Sequence, residues 1–317
     1  MKYLLSVLFG AMSYGILSTI VVTAYGEGYK LGEVVGSQLL IGFLLAWGLV
    51  LYTKRREKRK IGAITHSEST LTGTPAKLNW KKRGTLMAAG TPAVITGLLY
   101  YESLRYIPAS LAILLLFQFT WIGVLIQAIR QRKRPNGVIF LTLLLLFGGT
   151  LLAAGIVEQG FTKFNFIGVG LGLLSAISYA LFILFSGKAV PMVHPVYRSG
   201  WMLSGGMTLV FILFPPHFLI NGLLWGDLLM YGFLLGLFGA FIPPVLFAFG
   251  VPHIGEGMAG ILGASELPVA VLLSSFVLHE HVSLLQWTGV GFVLIGVALP
   301  ELLQWIRRPK TNQACSI

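Results

Sequence analysis

Charge is scarce in this sequence. Of its 317 residues only 11% are Asp, Glu, Lys or Arg, whereas a soluble domain carries about 25%. That scarcity excludes an ordinary soluble fold, and it excludes a long disordered chain, which would be polar throughout. Cysteine is nearly absent as well. Cys315 is the only one, so no disulfide framework can form within the chain. Period-two alternation is also missing: the apolar runs are continuous, which a membrane β-barrel does not allow. Catalytic signatures are lacking too. There is no Gly-x-Ser-x-Gly, no cysteine pair and no metal triad. "GVGLG" (168–172) has no strand before it, and "FSGK" (185–188) lacks the rest of a phosphate-binding loop. No catalytic residue, cofactor or metal is therefore expected. What is present is apolar mass, 56% of the chain with a mean hydropathy of +0.82. The class is an all-α polytopic membrane protein.

About twenty mainly apolar residues cross a bilayer as a helix. Ten such runs are visible: 3–24, 33–52, 84–103, 107–129, 137–157, 166–187, 199–219, 227–250, 257–278 and 283–305. Val22-Thr23-Ala24 would pass as a signal-peptide cleavage site, but the repeat described below needs the first run as a helix. The basic residues orient the runs. With the N-terminus inside, only Lys30, Arg105 and Lys163 of the 23 Lys and Arg residues fall in external segments. Both termini are then cytoplasmic, in the cell (plasma or inner) membrane. The formal charge of +12 is thereby explained by topology, and nucleic acid is not an expected partner. The one long connector, 53–83, is basic and polar and suits contact with anionic membrane lipids.

An internal repeat follows from two offsets. "AMSYG" (11–15) returns as "AISYA" (176–180), 165 residues on. At an offset of 147, Ile107 meets Ile254, Ala112 meets Ala259, Leu115 meets Leu262 and Gly149 meets Gly296. An extra stretch in the 53–83 connector accounts for the difference. The expected architecture is ten transmembrane helices as two inverted five-helix repeats, because an odd number of spans turns the second half upside down. Residues 1–160 form the first repeat, 161–306 the second, and 307–317 a cytoplasmic tail. Inverted halves suit transporters, since they rock about a central site that opens to either side in turn.

These features resemble the drug/metabolite transporter superfamily, EamA type. The resemblance rests on the ten runs in two halves, the "ASY"-like helices opening each half, and "GILGASELPVAVLLSSFVLHEHVSLLQWTGVGFVLIGVAL" (260–299). That last stretch has Glu and Pro near the middle of a helix, then Leu-x-Glu, then Gln and a Gly-rich helix. The first-half counterpart, 106–152, departs from the pattern: Lys133 stands opposite Glu280, and Trp121 opposite Pro268. The resemblance implies export of amino acids or related metabolites, with import by the same fold as the alternative.

Glu266 is the residue that most needs explaining. A carboxylate at mid-bilayer costs roughly 2.5–3.5 kcal/mol even on lenient insertion scales. It is either a neutral or hydrogen-bonded group that holds its helix, or a cavity residue that meets an amine or a proton. Pro268 beside it removes a backbone donor. Tyr14 and Tyr179, each following a serine, occupy equivalent places in the two halves. Gln118 and Trp121 lie near the first-half equivalent of Glu266. These six are the candidate substrate-binding residues. Glu280, between His279 and His281, reads as a turn that orients two helices or as an external gate. Glu102 and Arg105 read as a local ion pair at an external end. Pro92 and Pro243-Pro244 mark bends in membrane helices; Gly168, Gly170, Gly172, Gly232 and Gly236 mark close helix contacts. The leading function is a gradient-driven secondary transporter of a small organic molecule, with protons as the candidate coupling ion. An intramembrane enzyme on a lipid-linked substrate, using Glu266 with a tyrosine, is the alternative from another class. Substrate identity and oligomeric state, a homodimer included, stay open.

Overall fold

The computed structural model of the chain describes residues 1–64, 79–131, 137–153, 165–186, 193, 195–254 and 256–307. Most of the basic connector (65–78), Lys133, Lys163 and the tail from 308 with Cys315 lie outside them. The described residues are helical, with no strand among them. In chain order the helices are α1 (Lys2–Gly15), α2 (Leu17–Gly26), α3 (Leu31–Ile64), α4 (Trp80–Ser103), α5 (Ala109–Leu116), α6 (Phe119–Gln131), α7 (Gly137–Ala153), α8 (Phe166–Ser186), α9 (Pro195–Leu213), α10 (Asp227–Leu235), α11 (Ile242–Ile254), α12 (Glu256–Gly263), α13 (Glu266–Val277) and α14 (Leu284–Arg307). A π-helical turn, Gly236–Phe241, joins α10 to α11.

Four helices among the described residues are long and apolar enough to cross a membrane: Lys2–Gly26, Leu31–Arg56, Phe166–Ile183 and Asp227–Ile254. Ala109–Gly123, Phe140–Ala153, Glu266–Val277 and Leu284–Leu299 are apolar but shorter. The count falls short of ten; interruptions shorten two of the runs, 107–129 and 257–278, while two others, 3–24 and 227–250, are interrupted and still long enough. Four of the ten apolar runs are interrupted near their middles, each by an identifiable cause. Gly15 ends α1 where a Cβ would stand 2.7 Å from the Glu266 carbonyl oxygen. At Phe117–Gln118 the Gln118 side-chain amide donates to the Leu114 carbonyl at 2.9 Å, while its N–H turns to Leu115. Pro243 and Pro244 withdraw two consecutive donors after the π turn. Ala264–Ser265 forms a tight turn, with Leu267 N–H reaching Ala264, ahead of Pro268.

Packing relies on small residues, as expected where lipid supplies no hydrophobic force between helices. α4 and α9 cross with Gly90 against the Met202 backbone and Gly205 against the Met87 backbone. α3 meets the π turn through Gly42 against Ala240 and Gly236 against the backbone of Gln38 and Gly42. α7 and α14 pack along each other through Gly149, Gly289 and Gly296. α1 runs along α11, and α8 along α4. At the centre lies α5, with Ala109 to Leu115 all buried, in contact with α8 and α13. A helix apolar all round belongs in such a position. Large side chains such as Phe140, Phe147, Ile212 and Phe276 stand exposed on outer faces, as lipid contact requires.

Candidate functional site

A cavity of about 600 Å³ opens between the helices. Every one of the four helix interruptions reaches it: Leu17 just after the α1–α2 break, Phe117 at the α5–α6 break, Gly239 and Ala240 in the π turn, and Glu266 at the start of α13. Interrupted helices at membrane depth are tolerated where they line a cavity. Along α4 the lining runs from Gly90 to Tyr101, a rise of roughly 16 Å. One end reaches Arg198 and the exposed Ser199; the other is floored by buried Tyr100 and Tyr101.

The walls are mainly apolar, with eight aromatic side chains, one carboxylate and one guanidinium. Tyr14 and Tyr179 both line the cavity, as does Glu266. Glu266 is half-buried, and no described side chain hydrogen-bonds its carboxyl. Tyr100 and Tyr101 line the same cavity. Of the candidate binding residues, Tyr14, Tyr179 and Glu266 are brought together. Gln118, Trp121 and Pro268 are not part of the lining. Gln118 is buried at 4% exposure and braces the α5–α6 break. It donates to Thr150 Oγ1 at 2.6 Å and accepts from Trp121 Nε1 at 2.8 Å. Pro268 sits in the first turn of α13, where its missing N–H breaks no established ladder.

Phe119 is a lining residue that the sequence reading passed over. It lies edge-on to Tyr179, with ring centroids 4.7 Å apart. The offset of 147 carries Glu266 onto Phe119, so the repeat itself held the signal. Where one half offers a carboxylate near Tyr14, the other offers an aromatic ring against Tyr179.

Beyond the Tyr101 floor the structure is tied shut. Tyr25 donates its hydroxyl to the Tyr101 carbonyl at 3.2 Å. Arg105 lies over the Tyr25 ring, 4.9 Å from its centroid, and pairs with Glu102 at 3.6 Å. That exposed pair contributes little by itself. Glu280 is held more firmly. Its Oε1 accepts from Ala109 N–H at 2.7 Å; its Oε2 accepts from Ser110 N–H at 3.2 Å, Ser110 Oγ at 2.8 Å and Ser274 Oγ at 2.7 Å. The carboxylate caps the N-terminus of α5 from the corner between α13 and α14. His279 makes that corner by taking a left-handed conformation, φ 55°, while Glu280 N–H returns to the Ser274 carbonyl. Ser283 and Gln286 cap α14 reciprocally, and Gln286 donates to the Ala153 carbonyl on α7 at 3.2 Å. Among the described residues no cluster of three metal-ligating side chains occurs.

Residues 166–300 match the EamA-like transporter family. Over 206 residues the chain is 28% identical to an uncharacterized transporter of Synechocystis sp., a match covering 63% of this chain and 61% of that protein. Over 132 residues it is 29% identical to an uncharacterized transporter of Archaeoglobus fulgidus, covering 42% and 47%. The chain thus spans about three fifths of one curated relative and under half of the other. A crystal structure of a protein superposes with a TM-score of 0.61 over 97% of this chain and 99% of its own, at 15% identity, a likeness of fold. A multi-pass helical membrane fold with a central cavity defines the class, and the similarities point to a transporter rather than an enzyme. The likeness to EamA-like transporters spans residues 166–300, less than half of the chain.

Proposed function

We propose that the protein is a secondary transporter of the cell membrane that exports a small, amine-bearing organic metabolite, amino-acid-like in kind, by alternating access. The observation that carries this reading is the cavity built at four helix interruptions. Two come from residues 1–160 and two from residues 161–306, and a single carboxylate stands on the wall. A binding site formed by broken helices between two halves is the arrangement that alternating access needs. Glu266 takes the amine of the substrate, or a proton in exchange for it. The phenyl and phenol rings of Phe119, Tyr14 and Tyr179 cover its apolar body and offer their faces to a cation.

The ten-helix reading, as two inverted halves, is supported by reciprocal packing. α1 pairs with α11 as α8 pairs with α4, and the glycine contacts of α3 with the π turn mirror those of α9 with α4. With the orientation set by the basic residues, the Arg198 end of the cavity opens to the cytoplasm and the Tyr101 floor faces out. Both termini are then inside. Glu280 clamps α5 to the second half on the outer side, and the Glu102–Arg105 pair borders that closure. One chain encloses the cavity, so the reading needs no homodimer.

The test is comparative metabolomics of the external medium of cells expressing the protein, cells expressing Glu266→Gln, and cells with neither. An amine-bearing compound should accumulate outside only with the unaltered protein. Identical media in all three would overturn the reading.

A further inference from the structure

Beside Glu266 and the phenols, the cavity wall carries one carboxamide. Gln38 projects from α3 and is half-buried. The π turn makes room for it. A Cβ at Gly239 would stand 3.0 Å from the Gln38 amide nitrogen and 3.0 Å from Leu17, so glycine there lets the amide lie against the turn without displacement. A carboxamide has two N–H donors and a carbonyl acceptor. One hydroxyl, such as that of Tyr101 in the same cavity, cannot engage them all. The amide therefore keeps hydrogen-bonding capacity for a ligand.

Gln38 and Glu266 lie at one level of the cavity. Gly239, Leu17 and the Gln38 amide converge just past the α1–α2 break. Two residues before Leu17, Gly15 stands against the Glu266 carbonyl oxygen. Ser13 Oγ donates to the carbonyl of Phe238, next to Gly239, at 2.7 Å. Arg198, the only cation of the lining, is far from that level. α9 runs antiparallel to α3: Phe214 meets Gly32, Leu203 meets Gly42, and Gly200 meets Val50. Arg198 lies beyond Gly200, and Gln38 is twelve residues before Val50, a rise of roughly 18 Å along α3. That gap is more than the Arg198 side chain spans.

This placement limits what can stand next to the amine of a substrate. An ammonium on the Glu266 carboxylate forms a pair with no net charge. A carboxylate close to that ammonium, as in a free amino acid, adds a second negative charge that no cation at this level offsets, and an unpaired buried charge is costly. A neutral amide or hydroxyl adds no charge, and Gln38 can both donate to it and accept from it. We propose that Gln38 is a specificity-determining residue that selects substrates carrying a neutral hydrogen-bonding group, an amide or a hydroxyl, next to the amine. The substrate class is then a monocationic amine, such as an amino-acid amide or an amino alcohol, and not the zwitterionic amino acid. The inference rests on the reading of Glu266 as the amine site of a transporter.

The experiment uses purified full-length protein in proteoliposomes. Four probes share one aromatic side chain, which suits the ring-lined cavity: phenylalaninamide, phenylalaninol, phenylalanine, and phenethylamine, which has no second polar group. Uptake of each gives KM and maximal rate separately, and ligand-induced thermal shift reports binding without turnover. The amide and the alcohol should have KM values at least tenfold below that of phenylalanine. Gln38→Met, close in size and apolar, should raise those two KM values about fivefold, the worth of one neutral hydrogen bond, and leave phenethylamine within about twofold. Arg198→Gln should leave the amide-to-acid ratio unchanged. Should Gln38→Met fail to fold, Gln38→Asn, which withdraws the amide by one methylene, should show the same selective loss. Phenylalanine taken up as well as its amide, a Gln38 variant that leaves the amide unaffected or weakens all four probes alike, or a ratio that moves with Arg198→Gln would each overturn the proposal while the amine-transport reading stands. If none of the amines binds or moves, that reading falls and takes this inference with it.

Discussion

Replacing Glu280 by glutamine should damage folding more than transport. The side chain accepts four hydrogen bonds, three of them on Oε2 and one on Oε1. Glutamine keeps one oxygen. If that oxygen takes the place of Oε2, the three bonds from Ser110 and Ser274 survive without their charge assistance, and the new NH₂ faces the Ala109 N–H, donor against donor. A hydrogen bond to a charged group is worth about 1.5–3 kcal/mol against about 1 for a neutral one, and stranding a part-buried donor costs about 1–3 kcal/mol. The sum is at least about 3 kcal/mol, or a melting midpoint lower by at least about 5 °C for a chain of this size. Ser274→Ala removes one donor and should cost about 1 kcal/mol. The assay is the thermal midpoint and folded yield of detergent-solubilised protein, with turnover measured per folded molecule in vesicles. Turnover per folded molecule should stay within about twofold of the unaltered protein, which is under 0.5 kcal/mol in the barrier. An unchanged midpoint with abolished turnover would refute the clamp and make Glu280 a transport residue.

Three further outcomes are expected. Glu266→Gln keeps the shape of the cavity wall and removes the charge, so the protein should fold normally while transport falls at least tenfold or loses its pH dependence; vesicle uptake across a pH series decides this. Gly205→Ala, whose Cβ would meet the Met87 backbone, should lower stability by about 1–3 kcal/mol through overpacking, whereas Gly170→Ala, with open space around it, should be neutral or stabilising; thermal melts of the two compare them directly. Topology reporters placed after Lys60, after Arg134 and at the C-terminus should read cytoplasmic, and those near Lys163 and His281 external. A cytoplasmic reading at His281 would contradict the inverted arrangement of the second half.

The helical membrane class was legible because it depends on composition and run length, which the bilayer fixes. The mid-membrane breaks were only partly legible. Pro243-Pro244 announced one. The break after Gly15 was hidden, since it arises from close approach to Glu266, 251 residues away in sequence. The break at Gln118 depends on a side-chain amide displacing a backbone donor, which spacing does not reveal. Tyr14, Tyr179 and Glu266 stood out as polar or amphipathic groups at equivalent depths, and they do share one cavity. Gln118 and Trp121 stood out for the same polarity, yet they bond to each other and to Thr150, away from the cavity. Phe119 was invisible to a search for polar residues, because in a membrane helix an aromatic cavity wall and an aromatic lipid contact look alike.

The central claim is that a substrate moves through this cavity past Glu266. The most direct measurement is flux in proteoliposomes that hold only the purified protein, using the amine-bearing compound found in the external medium, with and without a pH gradient. The account predicts saturable flux that the gradient accelerates and that Glu266→Gln, folded to the same extent, reduces at least tenfold. Flux equal to that of empty liposomes, or equal in the glutamine variant at every pH, would contradict it.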